Sequence, residues 1–414
     1  MNILVSGPLL SMSGYGNHAR QVLEFVFNEY KNENIFCDVK NWGKTNWNLT
    51  DDFLSDGIFS KIIDNFISET ELIDFKGNNT NNHFDISFQI YFPSEWDTSL
   101  AKKNIGVFAG IESTLCCEKW LDKISIMSEV IVPSKHALDS IMNAKEYFLV
   151  KKIETPIHII PEWFYVEMGE KSDVINNIMK KVKTDNNLLI MGQITGLNPE
   201  LDRKNLIKTL DSCIEYLIES KKEDVGIILK LFSENNSLID FVKIRKIVKA
   251  YINIIKQSND YVPTVYIVHG NMMPKEVMSL YKHEKVTCLV SGTRGEGFGL
   301  TFLEAAACGL PIIATNWSAH TEFLAGEYFI KLNYKLEKVP ERLNIVNSPV
   351  HEYSNIWVKD AKWAEFDKDD LKKKLEKVLD LTIEYNKISD QQKTILNNYS
   401  KNTIMGIYKQ QFGR

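Results

Sequence analysis

A chain of 414 residues is long enough for roughly two or three domains, and 44% apolar with 25% charged residues is ordinary for a globular protein. The formal net charge of −5 excludes a global positive field, so any contact with nucleic acid or an anionic membrane must be a local patch. Six cysteines without a CxxC pattern, no apolar run of membrane-spanning length and no signal-peptide pattern together predict a cytoplasmic protein with reduced thiols.

The first half of the sequence alternates short apolar runs with helical patterns. Strands are predicted at Asn2–Val5, Phe36–Val39, Asp85–Ile90, Asn104–Phe108 and Val130–Val132. A helix is predicted from about Asn17 to Tyr30. Strands that alternate with helices form parallel sheets, and such sheets bind ligands at the carboxyl ends of their strands. The loops that follow these runs are therefore candidate sites.

A glycine-rich loop, SGYG at residues 13–16, precedes this first helix. Gly14, Gly16 and Ala19 satisfy the dinucleotide fingerprint G-x-G-x-x-A, and Asp38 follows about twenty residues later. The loop begins seven residues beyond the strand, however, which is too far for the tight first turn that the fingerprint requires. A plain helix-entry loop is the alternative interpretation.

Two polar residues of this half are candidates for chemistry. Glu112 follows the strand Asn104–Phe108, where it could orient a hydroxyl of a bound ligand, act as a base, or cap the next element. His18 follows the glycine loop, so a position facing a ligand is one interpretation and packing is the other.

The polar, lysine-bearing segment Glu167–Asn187 predicts a linker and an entry helix, which gives a first domain of residues 1–166 and a second of 167–388. Strands are then predicted at Leu188–Met191, Gly226–Leu231, Thr264–His269, Val286–Ser291 and Pro311–Thr315. Helices are predicted at Asn205–Ser220, Val242–Lys256, Pro274–Tyr281 and Leu300–Cys308. This second alternation predicts a second parallel-sheet domain, and a cleft between two such domains is a natural ligand site.

Two groups of cations lie in this second half. Arg203 and Lys204 precede the helix Asn205–Ser220, where adjacent positive charges would neutralise a bound diphosphate. Solvated surface charge is the alternative for Arg203 taken alone. Residues 243–249, KIRKIVK, predict a basic amphipathic helix that either forms a solvated face or contacts a membrane surface or nucleic acid.

The most informative stretch is VTCLVSGTRGEGFGLTFLEAAACGLPIIAT, residues 286–315. It predicts a buried strand, a glycine-rich loop at Gly295–Gly299, a short helix and a second strand. Free backbone N–H groups and the positive end of the helix dipole make an anion site there, which small residues let a phosphate approach. Glu296 and Glu304 flank this anion site, and like charges repel, so both carboxylates suit sugar hydroxyls better than phosphate. The stretch predicts a nucleotide-sugar site.

Glu296 and Glu304, with seven residues between them, resemble the EX7E signature of retaining glycosyltransferases with the two-domain GT-B fold. The surrounding EGFGLTFLEAAACGLPIIAT is similar to family 4, or group 1, of those enzymes, and scattered N-terminal positions resemble divergent members found in large tailed phages. The resemblance implies an α/β fold of two Rossmann-like domains facing across a cleft. It also implies a final helix, about residues 389–414, that crosses back to the first domain.

The resemblance further implies roles for single residues. Glu304 would hold the nucleotide ribose, and Glu296 would lie against the transferred hexose. Lys204 matches a KN pair of the family, whereas Gln193 occupies the usual place of an arginine that Arg203 would replace. Glu112 stands where the family often has a histidine. Glycines and backbone amides of two loops would meet the sugar and phosphates of the donor: Gly14, Gly16, Gly297, Phe298, Gly299, Leu300 and Thr301.

The expected function is retaining transfer of a sugar from a nucleoside-diphosphate sugar, UDP- or GDP-linked, to an acceptor hydroxyl by front-face attack. Glu296, Lys204, Arg203 and Glu112 form the expected catalytic group, with no metal or other cofactor. The DxD at residues 367–369 is the metal motif of the other glycosyltransferase fold, but it lies in a charged helix instead of at a strand end.

Several alternatives are open. The acceptor is a glycan, a lipid-linked sugar, a protein, a small molecule or a modified DNA base. The alternative functions are a related GT-B enzyme (a sugar-nucleotide epimerase or a phosphorylase), a non-catalytic sugar-nucleotide-binding module and an NAD-binding oxidoreductase.

Overall fold

The computed structural model describes residues 1–43, 45–48, 51–54, 57–69, 71–72, 84–150, 153–165, 172–193, 199–232, 237–341, 343, 356–380 and 389–413. The chain divides into two compact units, one of Met1–Trp163, Tyr353–Ala361 and Lys401–Arg414, the other of Phe164–Glu352 and Lys362–Ser400. The predicted domain boundary between residues 166 and 167 lies outside the described residues.

The first unit is built on a parallel sheet with the strand order β2-β1-β3-β4-β5-β6. Its strands are β1 (Asn2–Gly7), β2 (Asn34–Val39), β3 (Phe84–Ile90), β4 (Ala101–Val107), β5 (Glu129–Val132) and β6 (Ile157–Ile159). Its first helices are α1 (Gly14–Glu29), α2 (Asp51–Leu54), α3 (Gly57–Asp64), α4 (Glu118–Ile126) and α5 (Lys135–Tyr147). Ser13 caps α1, since its side-chain oxygen accepts a hydrogen bond from the N–H of Gly16, and the helix therefore begins earlier than predicted.

The C-terminal segment forms two helices that belong to different units. Helix α12 (Asp390–Asn398) lies in the second unit, where Gln392 Nε2 donates to Ala307 O at 2.9 Å. Helix α13 (Lys401–Phe412) lies in the first unit, where it packs on α1. There Tyr408 stacks on Phe25 with ring centroids 5.0 Å apart.

The second unit is built on a parallel sheet with the strand order β12-β11-β10-β7-β8-β9. These strands are β7 (Asn186–Gln193), β8 (Val225–Phe232), β9 (Val265–His269), β10 (Val286–Ser291), β11 (Ile312–Thr315) and β12 (Phe329–Leu332). The flanking helices are α6 (Asp173–Met179), α7 (Leu206–Ser220), α8 (Leu238–Lys256), α9 (Pro274–Tyr281), α10 (Leu300–Ala307) and α11 (Lys368–Leu379). A separate antiparallel pair is formed by β13 (Tyr334–Lys338) and β14 (Lys362–Phe366).

The strand order of the second sheet brings two loops together. β10 pairs with β7, so the loops that follow these two strands leave the same edge of the sheet side by side. The residue that follows β10, Gly292, packs tightly against β14. A Cβ at this position would lie only 2.4 Å from the ring of Phe366. The loop with Arg203 and Lys204 is thereby placed beside the loop with Glu296.

The prediction of two parallel-sheet α/β domains is confirmed. Helix α8 begins four residues before the predicted Val242, because Ser237 and Asp240 form a capping box there. The sequence analysis did not predict β12, β13 or β14. β13 is mostly exposed and therefore lacks the apolar run on which the other strands were recognised.

Candidate functional site

Glu296 lies at the centre of the loop between β10 and α10. The residue is 6% exposed, and its Oε1 accepts a hydrogen bond from Thr293 Oγ1 at 2.8 Å. Lys204 Nζ donates to both carboxylate oxygens, at 2.7 and 2.9 Å. Arg203 Nη1 lies 3.5 Å from Oε2. The backbone N–H of Glu296 donates to Ser318 Oγ at 2.9 Å, which fixes the loop from its other side.

These two cations keep the buried carboxylate ionised. Burial alone would raise the pKa of Glu296, but Lys204 and then Arg203 outweigh burial, and with the hydrogen bonds they lower the pKa to about 2. The sequence analysis assigned the carboxylate and the cations separately to a donor. The structure brings all three into one ion-paired group, in which Lys204 pairs with Glu296 and Arg203 lies beside them.

The first turn of α10 presents backbone N–H groups beside this pair. Gly299 precedes the helix in the left-handed conformation, with φ 100°, and no side chain caps the helix. Within the described part of the chain, the N–H groups of Phe298, Gly299, Leu300 and Thr301 have no hydrogen-bond partner. The Phe298 side chain is buried against Phe323, so this residue offers only its backbone. Gly297 completes the loop. The predicted anion site would therefore be formed by main-chain N–H groups.

Glu304 lies one turn further along α10. It is half-buried, and no residue in the described ranges donates a hydrogen bond to its carboxyl group. Burial raises the pKa of Glu304 to about 8. The pKa values of Glu296 and Glu304 are therefore shifted in opposite directions, because cations hold Glu296 ionised whereas no described residue supplies a counter-charge to Glu304. Such a pair of unequal carboxyl groups is typical of a functional site.

Gly14 and Gly16, in the glycine loop of the first unit, differ in the space around them. A Cβ on Gly16 would lie 2.0 Å from Ser11 O, so this glycine is required for the chain to turn into α1. A Cβ on Gly14 would meet nothing within 4 Å. Packing therefore explains Gly16 without a ligand, which weakens the dinucleotide interpretation of this loop, while Gly14 leaves open space that a ligand could occupy.

Glu112 lies near this glycine loop. It is half-buried in the chain segment after β4, and its charge, after burial itself, helps to raise the pKa of Tyr15. The Tyr15 hydroxyl is buried without a hydrogen-bond partner among the described residues, and its ring stacks on Trp42 at 4.0 Å. The structure thus places Glu112, Tyr15 and Gly14 in one region of the first unit.

His18 is placed in the interior of the first unit. Its side chain is fully buried, neither ring nitrogen has a hydrogen-bond partner among the described residues, and burial lowers its pKa to about 4. Glu162 lies close to it, with His18 Nδ1 and Glu162 Oε1 4.0 Å apart. A neutral, enclosed imidazole of this kind fits the packing interpretation.

The remaining charged motifs lie on helices of the second unit. α8 buries Ile244 and Val248 and exposes its cationic residues Lys243, Arg245, Lys246 and Lys249. In the DxD sequence, Asp367 caps α11 by accepting hydrogen bonds from two backbone N–H groups. Among the described helices, none is long and apolar enough to cross a membrane.

Three residues that the sequence analysis did not assign to the site contact the predicted group, and a fourth, Glu365, contacts one of these three. Thr293 and Ser318 bond Glu296, the backbone N–H of Arg294 donates to Arg203 O at 2.9 Å, and Glu365 pairs with Arg294. Thr293 and Arg294 immediately precede the predicted loop, so their position in the sequence could have identified them. Nothing in the sequence pattern connects Ser318 or Glu365 to the site.

One segment of the second unit matches the model of a known family. The profile of the family Glycosyl transferases group 1 matches residues 260–333, which include the Glu296 loop, α10 and β11. No curated protein matches the chain.

Solved structures resemble the chain over nearly its whole length. A trehalose-6-phosphate protein from E. coli bound with UDP-2-fluoro glucose is 10% identical with a TM-score of 0.60, over 99% of this chain and 98% of that chain. The α,α-trehalose-phosphate synthase (UDP-forming) from Burkholderia vietnamiensis is 10% identical with a TM-score of 0.60, over 99% of both chains. The sucrose-phosphate synthase from Thermosynechococcus elongatus is 12% identical with a TM-score of 0.58, over 100% of this chain and 99% of that chain. At these identities the likeness shows the fold, which is GT-B.

Proposed function

We propose that this chain, a glycosyltransferase of the GT-B fold, transfers a hexose from a nucleoside-diphosphate sugar to an acceptor hydroxyl with retention of anomeric configuration. The observation that carries the proposal is the grouping of unlike charges around α10. Cations lie at the start of this helix beside N–H groups that no described residue pairs with, and one turn later lies a carboxyl group that likewise has no partner among the described residues.

A sugar nucleotide fits this arrangement in one orientation. The diphosphate would lie between Lys204 and the N–H groups of Leu300 and Thr301, where the helix dipole also favours an anion. Glu304 lies four residues beyond Leu300, about 6 Å along the helix axis, and would accept hydrogen bonds from the ribose hydroxyls. The hexose would then lie against Glu296.

The chemistry proposed for this site is front-face displacement. The bond between the anomeric carbon and the diphosphate oxygen breaks with its electron pair passing to the diphosphate, and the acceptor oxygen bonds the same face of that carbon. The acceptor's proton passes to the departing phosphate. Lys204 and Arg203 would stabilise the charge that develops on the leaving group, which is usually the largest single contribution to such catalysis.

Glu296 is proposed to orient the hexose without bonding to it covalently. A double displacement needs a free carboxylate oxygen that can attack the anomeric carbon. Both oxygens of Glu296 accept hydrogen bonds from Lys204, and one also accepts a bond from Thr293. These bonds reduce its nucleophilicity, which favours the front-face route. Because fixed cations and amides supply the positive charge, the proposal includes no metal.

Thermal unfolding with nucleotides tests the proposal and identifies the base. A ligand at a hundred times its dissociation constant stabilises a protein by about 2.7 kcal/mol, which is readily measured. The panel is UDP, GDP, ADP, dTDP, CMP and NAD, each with wild type and with Glu304→Ala. UDP is tested first, because one similar structure holds a UDP-sugar analogue and another is a UDP-forming enzyme.

The expected result is that one nucleoside diphosphate stabilises the wild type and stabilises Glu304→Ala much less. A shift with NAD alone, equal in both proteins, would show an oxidoreductase-type site instead. A diphosphate that stabilises both proteins equally would remove Glu304 from the nucleotide site.

A further inference from the structure

Arg294 immediately precedes the loop Gly295–Gly299. Its side chain binds a second loop of the same unit, at residues 199–205. The residue is 6% exposed, and its Nη1 donates to Pro199 O at 2.6 Å, Asp202 O at 2.9 Å and Glu200 O at 3.2 Å. Its Nε and Nη2 each lie 2.7 Å from Glu365 Oε2. One guanidinium group thus joins three main-chain carbonyls to one buried carboxylate.

Glu365, on β14, is held by charged and polar neighbours. The residue is 7% exposed, its Oε1 pairs with Lys208 Nζ, and it accepts a longer hydrogen bond from Asn205 Nδ2 at 3.3 Å. Burial alone would raise the pKa of Glu365, but the hydrogen bond from Lys208 and the charge of Arg294 lower it. The guanidinium of Arg294 also lies over the ring of Trp363 of β14, with its Cζ 4.9 Å from the ring centroid.

The loop at residues 199–205, which Arg294 contacts, carries the two cations of the site, Arg203 and Lys204. The N–H of Arg294 donates to Arg203 O at 2.9 Å, and Arg203 Nη1 donates to Gly295 O at 2.7 Å. Asp202 accepts hydrogen bonds from the N–H of Lys204 at 3.0 Å and from that of the first residue of α7. The residue between them, Asn205, is held at φ 53°. The course of this loop therefore depends on contacts made by its neighbours.

We propose that Arg294 and Glu365 form a clamp that positions Lys204 and Arg203 for catalysis, so that β14 is part of the donor site although it presents no group to the donor. This inference rests on the proposed function, because it takes the diphosphate as the group that Lys204 meets. Arg294 and Glu365 are positioning residues, since they act through the loop at residues 199–205.

Stability alone is a poor explanation for this clamp. A buried ion pair often contributes little net stability, because removing two charges from water costs about as much as their attraction returns. A guanidinium can hold carbonyl and carboxylate groups in fixed directions, which the point charge of a lysine cannot do. The arrangement instead specifies the path of one loop. Displacement of a catalytic group by about 1 Å can reduce turnover a hundredfold.

Kinetics of three variants test the clamp: Arg294→Lys, Arg294→Met and Glu365→Gln. We expect kcat to fall at least about tenfold while the donor KM changes less than about threefold, because misplaced cations fail mainly in the transition state. Arg294→Lys is expected not to restore kcat. In combination with Lys204→Ala, Glu365→Gln should add almost nothing, because the clamp acts through Lys204 and its neighbour. Additive losses in the double variant would overturn the proposal.

The matched control is Glu215→Gln. Glu215 pairs with Lys368 at 2.5 Å on the same unit and has no contact with the loop at residues 199–205. This variant removes a surface ion pair and should retain wild-type kcat. An equal loss of kcat in Glu215→Gln would show that any weakened ion pair in the unit impairs the enzyme, which would contradict a specific role for the clamp.

A second readout does not depend on transfer activity. Lys204 Nζ is held by Glu296, so its reaction with an amine-acylating reagent, followed by mass spectrometry, reports whether the pair is intact. We expect acylation of Lys204, relative to exposed Lys243, to rise at least about fivefold in Glu365→Gln, as the loop moves and the lysine is freed. If Arg294→Met does not fold, Glu365→Gln and Arg294→Lys still provide the result.

Failure of the clamp and failure of the proposed function give different results. Unchanged acylation of Lys204 in folded clamp variants would overturn the clamp even if the wild type transfers sugar. Increased acylation in a protein that turns over no sugar nucleotide would support the clamp as an architectural feature and contradict the proposed function.

Discussion

Replacing Lys204 with alanine is expected to reduce the turnover of the sugar nucleotide by a factor of about a hundred to a thousand, the usual effect of removing one group that stabilises transition-state charge. Lys204 Nζ already lies 2.7 Å from Glu296 Oε1, so it is held at the site before any donor binds. Its attraction to the diphosphate grows as the sugar departs and the negative charge increases. The loss should therefore appear in kcat more than in donor affinity.

Two control variants define this result. Lys243→Ala removes an exposed lysine of α8 in the same unit and should retain wild-type kinetics. Lys204→Arg keeps the charge and should recover part of the lost turnover. Steady-state kinetics with the donor that binds in the nucleotide panel provide both parameters. Wild-type kcat in Lys204→Ala, or a loss confined to KM, would contradict the role of Lys204 in the transition state.

The second prediction concerns the pH dependence of donor binding. The pKa of Glu304 is about 8 without a ligand, so at neutral pH its carboxyl group is largely protonated. Two ribose hydroxyls that donate to the carboxylate would favour its ionised form, so binding should release a proton. The association constant should then rise by up to about tenfold per pH unit below that pKa and level off above it.

Glu304→Gln is the variant that isolates this effect. It cannot ionise, so its affinity for the donor should be weaker and almost independent of pH over the same range. Calorimetry with an intact sugar nucleotide is the suitable measurement, because a terminal phosphate would titrate near pH 6. A dependence on pH that is unchanged in Glu304→Gln would contradict the proposed contact with ribose.

Stability of the free protein provides a separate check on the pKa of Glu304. In the unfolded chain this group ionises near its ordinary value of about 4.3, whereas the folded protein retains the proton to about pH 8. The folded state therefore binds more protons in this window, and Glu304 costs stability as pH rises through it. Glu304→Gln should match wild-type stability at acid pH and exceed it at pH values above the folded pKa.

The motif of the second unit was largely predictable from sequence because its elements are short, contiguous and locally specified. The buried run before Gly292 and the alanine-rich run after Gly299 fix a strand and a helix by periodicity, and the glycines fix the turn. Glu296 and Glu304 were identified for the same reason, since their spacing along one loop and helix is a local property.

The pairing of side chains across the fold could not be predicted in this way. Lys204 and Glu296 were both identified, but they are 92 residues apart, and only the adjacency of β7 and β10 shows that they bind each other. Arg294 and Glu365 are 71 residues apart, and the strand that carries Glu365 gave no pattern of its own. His18 was a candidate because it follows the glycine loop, but the structure shows that its side chain is fully buried.

The central claim, sugar transfer with retention, is tested most directly by proton NMR of the anomeric signal during turnover of the donor. Because the acceptor is not identified, water serves as acceptor and the released hexose is observed before its anomers equilibrate. The account predicts that the first hexose to appear has the anomeric configuration of the donor, and that Lys204→Ala suppresses the signal. Release of the opposite anomer would contradict retention. No release from any sugar nucleotide whose diphosphate stabilises the protein would contradict catalysis.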